Sequence, residues 1–235
     1  MAESGYFDGA YRARNPDWHS GDSPHKAQWI LSLLNDHKLS PSTVCEVGCG
    51  AGEILVRLQS EMGPAIRFTG YDISPDAAAI NHPKRNKNLQ FLKADILISE
   101  TERFDLLLLI DVFEHVEDYL SFLRKLRDRA SRFVFHIPLD LHVSSLIRVG
   151  PLLDVRYSVG HLHYFTRETA LAALADTGYR IVDERFMLGA LESPQTGIRS
   201  RLARIHRRIA FKIAPVLAAR WLGGFSLLVL AEPAK

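Results

Sequence analysis

Short apolar stretches alternate with helical patterns along most of the chain, and this rhythm limits the fold more than any other feature. The apolar stretches cover 42–48, 66–74, 89–95, 103–112 and 131–139. Patterns typical of helices flank them, at 23–39, 52–62, 75–82 and 116–130. Strands that alternate with helices form βαβ units, so the rhythm predicts an α/β fold, a doubly wound parallel sheet with helices on both faces.

The rhythm changes in the second half of the chain. Residues 140–162 show no clear period and predict an irregular insertion. Residues 166–179 predict a helix that Thr166 caps and Gly178 ends. A full capping box is not expected there, because the third helical position is Thr169 rather than Glu or Gln. Two further strands are predicted at 179–188 and 225–233.

The 235 residues carry a formal net charge of +2, and 24% of them are charged, which is ordinary for a soluble domain. We expect a single domain over 1–235, with the polar and aromatic residues 1–25 as a cover segment. No apolar signal sequence begins the chain, so we expect a cytoplasmic protein. Cys45 and Cys49 flank a strand end, and we expect buried thiols rather than a disulfide.

Three glycines, Gly48, Gly50 and Gly52, lie within five positions directly behind the first strand. Their spacing departs from the dinucleotide fingerprint G-x-G-x-x-G, because Glu53 holds the sixth position. A Walker loop is excluded as well, because no Gly-Lys-Ser/Thr follows. Glu46 and Glu53 would repel a pyrophosphate beside this loop, whereas they would attract a cofactor that carries an ammonium and a sulfonium. S-adenosylmethionine carries both groups.

Acidic residues recur where successive strands end. Asp72 ends the second strand, Asp95 the third and Asp111 the fourth, while Glu46 lies near the end of the first. Ligands of an open α/β sheet bind outside the carboxyl ends of its strands, so these acids should line one pocket. Asp72 is placed to bind the ribose hydroxyls, and Asp95 is placed to bind the adenine amino group. Asp111 lies at the edge of the reaction pocket.

The stretches EVGCGAGE, GYDIS, KADI and FDLLLLIDVFEHV together resemble the motifs of the class I S-adenosylmethionine-dependent methyltransferases, over roughly 25–188 and the final strand. The resemblance implies a seven-stranded Rossmann-like sheet whose last strand is antiparallel. It also implies that Glu46 and the glycine loop hold the methionine part of the cofactor. The predicted cofactor-binding residues are Glu46, Gly48, Cys49, Gly50, Gly52, Asp72, Ile73, Asp95, Ile96, Asp111 and Val112.

Methylation of a hydroxyl requires a base, and histidine is the usual one. His115 follows the fourth strand at the expected mouth of the pocket, where it is a candidate base or a residue that binds the backbone at a helix start. His161 and His163 point the same way if GHLHYFT is extended, and they form either a pocket wall or a structural pair that anchors the insertion. His136 is expected to be a satisfied histidine in the core.

The sequence Asp111-x-x-Glu114-His115 resembles a pattern that is associated with a divalent metal in ubiquinone-pathway relatives. Here the first acid is Asp rather than Glu, and the pattern is common in relatives without a metal. We therefore predict no metal site, and expect Glu114 to orient or cap His115.

A basic helical insertion is predicted at 190–222. Leu202, Ile205, Ile209 and Ile213 share one helical stripe, and Arg201, Arg204, Arg208 and Lys212 share the next. Residues 199–212 could bind an anionic membrane surface at the periphery, or pack on this domain or on a second copy in a homo-oligomer. Sparse aromatic residues argue against nucleic acid. Residues 210–231 are too interrupted to cross a bilayer and predict a helix end, a turn and a buried strand.

The stretches DVFEHVEDY and GHLHYFTRETALAALADTGY resemble a subgroup that includes ubiquinone-biosynthesis O-methyltransferases and methyltransferases of polysaccharide gene clusters. We therefore expect O-methylation of a small molecule, a saccharide or a lipid-linked acceptor. An N-methyltransferase and a noncatalytic module that binds S-adenosylmethionine stay open as alternatives. The glycine spacing and Glu46 argue against a nicotinamide oxidoreductase.

Overall fold

The computed structural model describes residues 10–16, 18, 20–99, 103–188 and 198–234, with the side chains of 10, 11 and 198–204 left undescribed. The strands are β1 (Thr43–Val47), β2 (Arg67–Asp72), β3 (Leu89–Lys93), β4 (Phe104–Ile110), β5 (Ala130–Pro138), β6 (Tyr179–Met187) and β7 (Ser226–Pro233). They form one sheet in the order β3-β2-β1-β4-β5-β7-β6. Strand β7 runs antiparallel to both β5 and β6, while the other pairs are parallel. The predicted fold, a Rossmann-like sheet with an antiparallel last strand, is confirmed.

Helices cover both faces of this sheet. They are α1 (Ala10–Arg14), α2 (Ser23–Asp36), α3 (Glu53–Met62), α4 (Pro75–Asn81), α5 (Tyr119–Leu126), α6 (Val143–Arg148), α7 (Gly150–Ser158), α8 (Arg167–Asp176), α9 (Ile198–Ile213) and α10 (Pro215–Leu222). Strand β4 shows why two layers of helices are needed. Its Leu106 and Leu108 pack into one core cluster, and its Leu107 and Leu109 pack into the other, because successive strand residues point to opposite faces.

The segment 140–162 is helical, so the prediction of an irregular insertion is wrong. Helix α6 begins with a reciprocal cap. The His142 Nδ1 accepts from the Ser145 backbone N–H at 3.1 Å, and the Ser145 hydroxyl accepts from the His142 N–H at 3.1 Å. Val149, with a φ of 57°, then separates α6 from α7. The usual capping signature lacks histidine, and so it misses this helix start.

Two smaller expectations are also corrected. Helix α8 does have a reciprocal cap, because the hydroxyl of Thr169 accepts from the Thr166 N–H at 2.9 Å in place of a Glu or Gln side chain. Within 210–231, an additional helix, α10, begins at Pro215 and precedes the expected turn, at Gly223 and Gly224, and the expected buried strand. The single domain over 1–235 stays a prediction. Within the described ranges, no helix combines the length and apolar character needed to cross a bilayer.

Candidate active site

A cavity of about 830 Å³ opens at the carboxyl ends of the first four strands. It is lined by the glycine loop and by side chains from the strand ends, from α2 and α5, and from the segment after α7. All eleven predicted cofactor-binding residues line it. The lining also includes His115 and His161. The sheet therefore brings the predicted cofactor residues and two of the three candidate bases into one space.

The glycine loop is tied to the second strand. The N–H groups of Gly48 and Cys49 donate to the Tyr71 carbonyl at 2.8 and 3.1 Å, and the Gly50 N–H donates to Asp72 Oδ2 at 2.8 Å. Gly52 has a φ of +77°, and a Cβ there would lie 2.5 Å from the ring of Phe91. Only glycine fits this position, so the loop can approach a ligand with its backbone.

Glu46 is a buried acid with an unused oxygen. Its side chain is 2% exposed, and its Oε2 forms no hydrogen bond with any described residue. Burial raises the pKa of Glu46 well above its ordinary value, and the charge of Lys26 opposes that rise in part. A buried carboxyl without a partner costs free energy, so the site is built to receive a hydrogen-bond donor.

The next two acids hold turns at the cavity rim. Asp72 Oδ1 accepts from the Ser74 N–H at 2.8 Å, and burial raises the pKa of Asp72 although its two backbone hydrogen bonds oppose the rise. Asp95 accepts from the Leu97 N–H at 2.8 Å. Ile73, which is 40% exposed, follows Asp72 on the wall of the cavity. Each carboxylate has lone pairs beyond these bonds, so both acids can still accept from a ligand.

Asp111 is the centre of a charged cluster. Its Oδ2 accepts from Lys26 at 2.6 Å, and its Oδ1 lies 2.5 Å from His136 Nδ1. Burial opposes ionisation, but His136 and Lys26 together hold the pKa of Asp111 well below its ordinary value. Asp111 has a φ of 55°, an uncommon backbone conformation for a residue with a side chain. His136 thus has a hydrogen-bond partner, as expected, and that partner, Asp111, lies at the candidate active site. Val112, next in the chain, packs against Gly48.

His115 and His161 meet at one end of the cavity, with their ring centroids 4.9 Å apart. His161 Nδ1 bonds Asp140 Oδ2 at 2.6 Å, and His115 Nδ1 bonds the Gly160 carbonyl at 3.1 Å. A carbonyl or carboxylate oxygen only accepts, so each Nδ1 carries the proton and each Nε2 is the basic nitrogen of a neutral ring. In this tautomer a ring can accept a proton only through its Nε2.

His163 is not among the residues that line the cavity. Its Nε2 bonds the carbonyls of Val116 and Glu117 at 3.0 and 3.1 Å, and its ring packs on Tyr119 with centroids 4.6 Å apart. These contacts anchor the segment after α7 to the start of α5. They agree with the alternative in which this histidine anchors the insertion.

Glu114 is 1% exposed, and neither of its carboxylate oxygens has a hydrogen-bond partner among the described residues. Burial, with the charge of Asp111 second, raises its pKa well above the ordinary value. The ligand atoms of Glu114, His115 and His161 all lie within 4.8 Å of one another. This group differs from the Asp111-x-x-Glu114-His115 pattern of the sequence, because it includes His161, while Asp111 is bound to Lys26 and His136.

Several site residues escaped the sequence argument. Lys26 belongs to an amphipathic helix and gives no signal, and neither does Trp18, which packs on Gly50. Asp140 could have been found, because it follows the fifth strand just as the other acids follow the first four. The N-terminal cover is partly described: the Arg14 guanidinium donates to the Tyr157 carbonyl at 2.8 Å and so joins the cover to α7.

A family model described as a methyltransferase domain matches residues 20–184 of the chain. The chain belongs to this methyltransferase domain family. A similar protein, the mitochondrial ubiquinone biosynthesis O-methyltransferase of Candida albicans, is 38% identical over 96 residues, which cover 38% of this chain and 28% of that protein. A Methanocaldococcus jannaschii protein provisionally named as a protein N5-glutamine methyltransferase is 26% identical over 133 residues, 51% of this chain and 66% of that protein. This methyltransferase thus matches less than two thirds of either relative.

Solved methyltransferase structures share the fold. The N-methyltransferase NodS from Bradyrhizobium japonicum, in complex with S-adenosylhomocysteine, has a TM-score of 0.60 at 19% identity and covers 97% of this chain and 100% of its own. The plantazolicin methyltransferase BpumL has a TM-score of 0.62 at 17% identity and covers 100% and 94%. The chain is thus a methyltransferase domain whose fold matches structures that hold S-adenosylmethionine or its product S-adenosylhomocysteine. Its site fits that cofactor, because the unused buried oxygen of Glu46 can accept from an ammonium.

Proposed function

We propose that this methyltransferase acts on a hydroxyl group of a small-molecule, saccharide or lipid-linked acceptor, and that His161 removes the hydroxyl proton. The observation that carries the proposal is the His161–Asp140 hydrogen bond of 2.6 Å on the wall of the cofactor cavity. A base that a carboxylate orients is the arrangement used to activate hydroxyl groups. His115 is the second candidate, because the Gly160 carbonyl fixes its ring in the same tautomer.

The chain's own residues would divide the work as follows. Glu46 and the loop from Gly48 to Gly52 would hold the methionine part of the cofactor, Asp72 and Ile73 the ribose, and Asp95 and Ile96 the adenine. Bound S-adenosylmethionine supplies a methyl group on a sulfonium leaving group. Alignment of acceptor and donor can supply roughly 7–11 kcal/mol of the barrier reduction. His161 would take the acceptor proton onto Nε2, while Asp140 stabilises the resulting imidazolium.

The alternatives differ in what they require of the two histidines. A noncatalytic module that binds S-adenosylmethionine needs neither His161 nor Asp140. An amine acceptor that reaches the site uncharged needs no base, so N-methylation would tolerate loss of either group. A cytoplasmic location and a homo-oligomer stay predictions.

The test compares His161→Gln and Asp140→Asn with wild type over a panel of phenols, saccharides, polyprenyl-linked sugars and amines. The assay follows formation of S-adenosylhomocysteine, and calorimetry follows binding of S-adenosylmethionine. We expect kcat on the hydroxyl acceptor to fall roughly 10²–10⁴-fold for His161→Gln, with cofactor affinity unchanged. His82→Gln is the matched control, since His82 is exposed and does not line the cavity. Turnover of amines alone, unchanged in His161→Gln, would contradict the proposal.

A further inference from the structure

Helices α6, α9 and α10 pack together and leave apolar side chains uncovered. Helix α10 contacts both of the other two. The Ser144 hydroxyl at the start of α6 donates to the carbonyl of Leu222, the last residue of α10, at 3.4 Å. Leu146 and Ile147 of α6 are 55% and 77% exposed. Monomeric proteins seldom expose a large contiguous apolar patch without a use for it.

Exposed apolar side chains are most regular on helix α9. Ile205, Ile209 and Ile213 recur every fourth residue and form one stripe, and they are 53%, 53% and 79% exposed. Phe211 lies on the other side of the helix and stacks on Phe225 with centroids 5.1 Å apart. The helix therefore already has an inward face, and its isoleucine stripe is a second, outward apolar face.

Cations border this stripe. Arg208 and Lys212 are exposed and precede Ile209 and Ile213, and neither forms an ion pair with a described residue. Between Ser193 and Ala231 the sequence has seven Arg or Lys and no Asp or Glu. The side chains of three other α9 cations, at 199, 201 and 204, lie outside the described residues, as does that of Leu202.

Arg148 and Arg207 form a second pair of interacting cations. Burial, followed by repulsion from Arg148 at the end of α6, lowers the pKa of Arg207. Neither residue forms an ion pair within the described part of the chain. Unrelieved repulsion of this kind is eased by an anionic group bound nearby.

The outward surface of α9 and α10 is called the basic-apolar face and consists of Arg208, Ile209, Lys212, Ile213, Leu217 and Trp221. We propose that it docks on an anionic lipid bilayer. Apolar side chains flanked by cations, with an exposed Trp, are what a helix needs to lie in the headgroup region. A second copy of the chain fits less well, because a two-fold contact would place these cations against one another.

The insertion connects the docking surface to the reaction cavity, because α10 packs on α6 and α6 packs on α7. Helix α6 leads directly into α7, and Val159 and His161, which follow α7, line the cavity. A bilayer on the basic-apolar face would therefore lie near the part of the wall that carries the proposed base. It follows that the acceptor is a lipid-linked or amphipathic alcohol drawn from the membrane surface. This consequence rests on the proposed function, whereas the docking itself does not.

Vesicle co-sedimentation of the full chain tests the docking without any turnover. The probes are vesicles of phosphatidylcholine alone and of phosphatidylcholine mixed with phosphatidylglycerol. We expect binding to the mixed vesicles that salt weakens. Because each cation near an anionic surface contributes about fivefold in partitioning, Arg208→Gln with Lys212→Gln should weaken binding roughly 25-fold. Ile209→Ser should weaken it several-fold.

Matched controls lie on distant exposed elements. Arg57→Gln with Lys87→Gln removes the same charge, and Ile98→Ser removes an isoleucine that is 84% exposed. These variants should bind as wild type does. The proposal would be overturned if the wild-type protein bound neither kind of vesicle. It would also be overturned if the control variants lost as much vesicle binding as the variants of the basic-apolar face. A dimer that dissociates in Ile209→Ser would overturn it as well, because the face would then belong to a second copy. Lost turnover with intact vesicle binding would contradict only the proposed function.

Discussion

Replacement of Glu46 by glutamine should weaken cofactor binding without destabilising the empty protein. Glu46 is 2% exposed, and its Oε2 has no partner among the described residues. Glutamine keeps the shape of the side chain and removes the charge. If Glu46 receives the cofactor's ammonium, the substitution removes a charge-assisted hydrogen bond from the complex and a poorly solvated carboxyl from the free protein.

The two effects have opposite signs, which makes them informative together. A hydrogen bond to a charged group contributes about 1.5–3 kcal/mol. Its loss should raise the Kd for S-adenosylmethionine roughly 10- to 100-fold. Unfolding of the free protein should occur at the same or a higher denaturant concentration, since no described partner of Glu46 Oε2 is lost. A residue with a purely structural role would instead lose stability when it is changed.

Titration calorimetry with S-adenosylmethionine and S-adenosylhomocysteine measures the first effect, and urea denaturation the second. Glu53→Gln is the control, because Glu53 flanks the same loop but already pairs with Lys84 at 2.6 Å. That variant should bind within a few-fold of wild type. The reasoning is refuted if Glu46→Gln binds both cofactors as wild type does, or if Glu53→Gln is equally impaired.

Because the pKa of Glu46 is raised, the difference in stability between Glu46→Gln and wild type should depend on pH. Its pKa in the folded protein lies well above the ordinary value of 4.5, so folding favours the protonated carboxyl. The stability that this preference contributes is fully present below pH 4.5 and is lost as the pH rises through the folded pKa. Glutamine does not titrate, so the variant should gain stability relative to wild type as the pH rises above 4.5.

The remaining predictions concern the loop, the charged cluster and metals. Gly52→Ala should lower the free energy of unfolding by about 1–3 kcal/mol, because a Cβ there would meet the ring of Phe91. Gly21→Ala is the control and should change the free energy of unfolding little, because a Cβ at Gly21 meets no atom within 4 Å. Urea denaturation measures both variants. Asp111→Asn should destabilise by about 3–5 kcal/mol in the same assay, because two basic partners lose their acid. Turnover should survive EDTA, since Asp111 is engaged elsewhere; loss that a divalent ion restores would instead assign a metal to the group around Glu114.

The fold could be predicted because its signals are local. The long apolar run of β4 indicates a strand buried on both faces, and Thr166 and Gly178 mark the ends of α8 by their backbone chemistry. The helices within 140–162 could not be predicted, because a histidine caps α6 and a valine with positive φ separates it from α7. Those features depend on the folded environment and have no period in the sequence.

The grouping of the strand-end acids around one cavity could be predicted for a related reason. Parallel strands bring their carboxyl ends to one edge, so acids separated by more than 60 residues in sequence, from Glu46 to Asp111, meet there. The acceptor half depends on contacts between distant segments. Asp140 orients His161 across 21 residues, and Lys26 reaches Asp111 across 85. No spacing rule connects such partners, and so neither contact was predicted.

The charge states of the strand-end acids explain how one pocket can be stable when empty and still attract a cation. Burial raises the pKa of Glu46 and of Asp72, so burial disfavours the ionised form of both groups in the free protein. Asp111 behaves oppositely, because Lys26 and His136 neutralise it. A cationic cofactor reverses the balance at Glu46 by favouring its ionised form. Binding should then release a proton, which calorimetry in buffers of different ionisation enthalpy detects as a buffer-dependent heat. The Glu46→Gln variant should release fewer protons, and an unchanged number would show that another group accounts for the release.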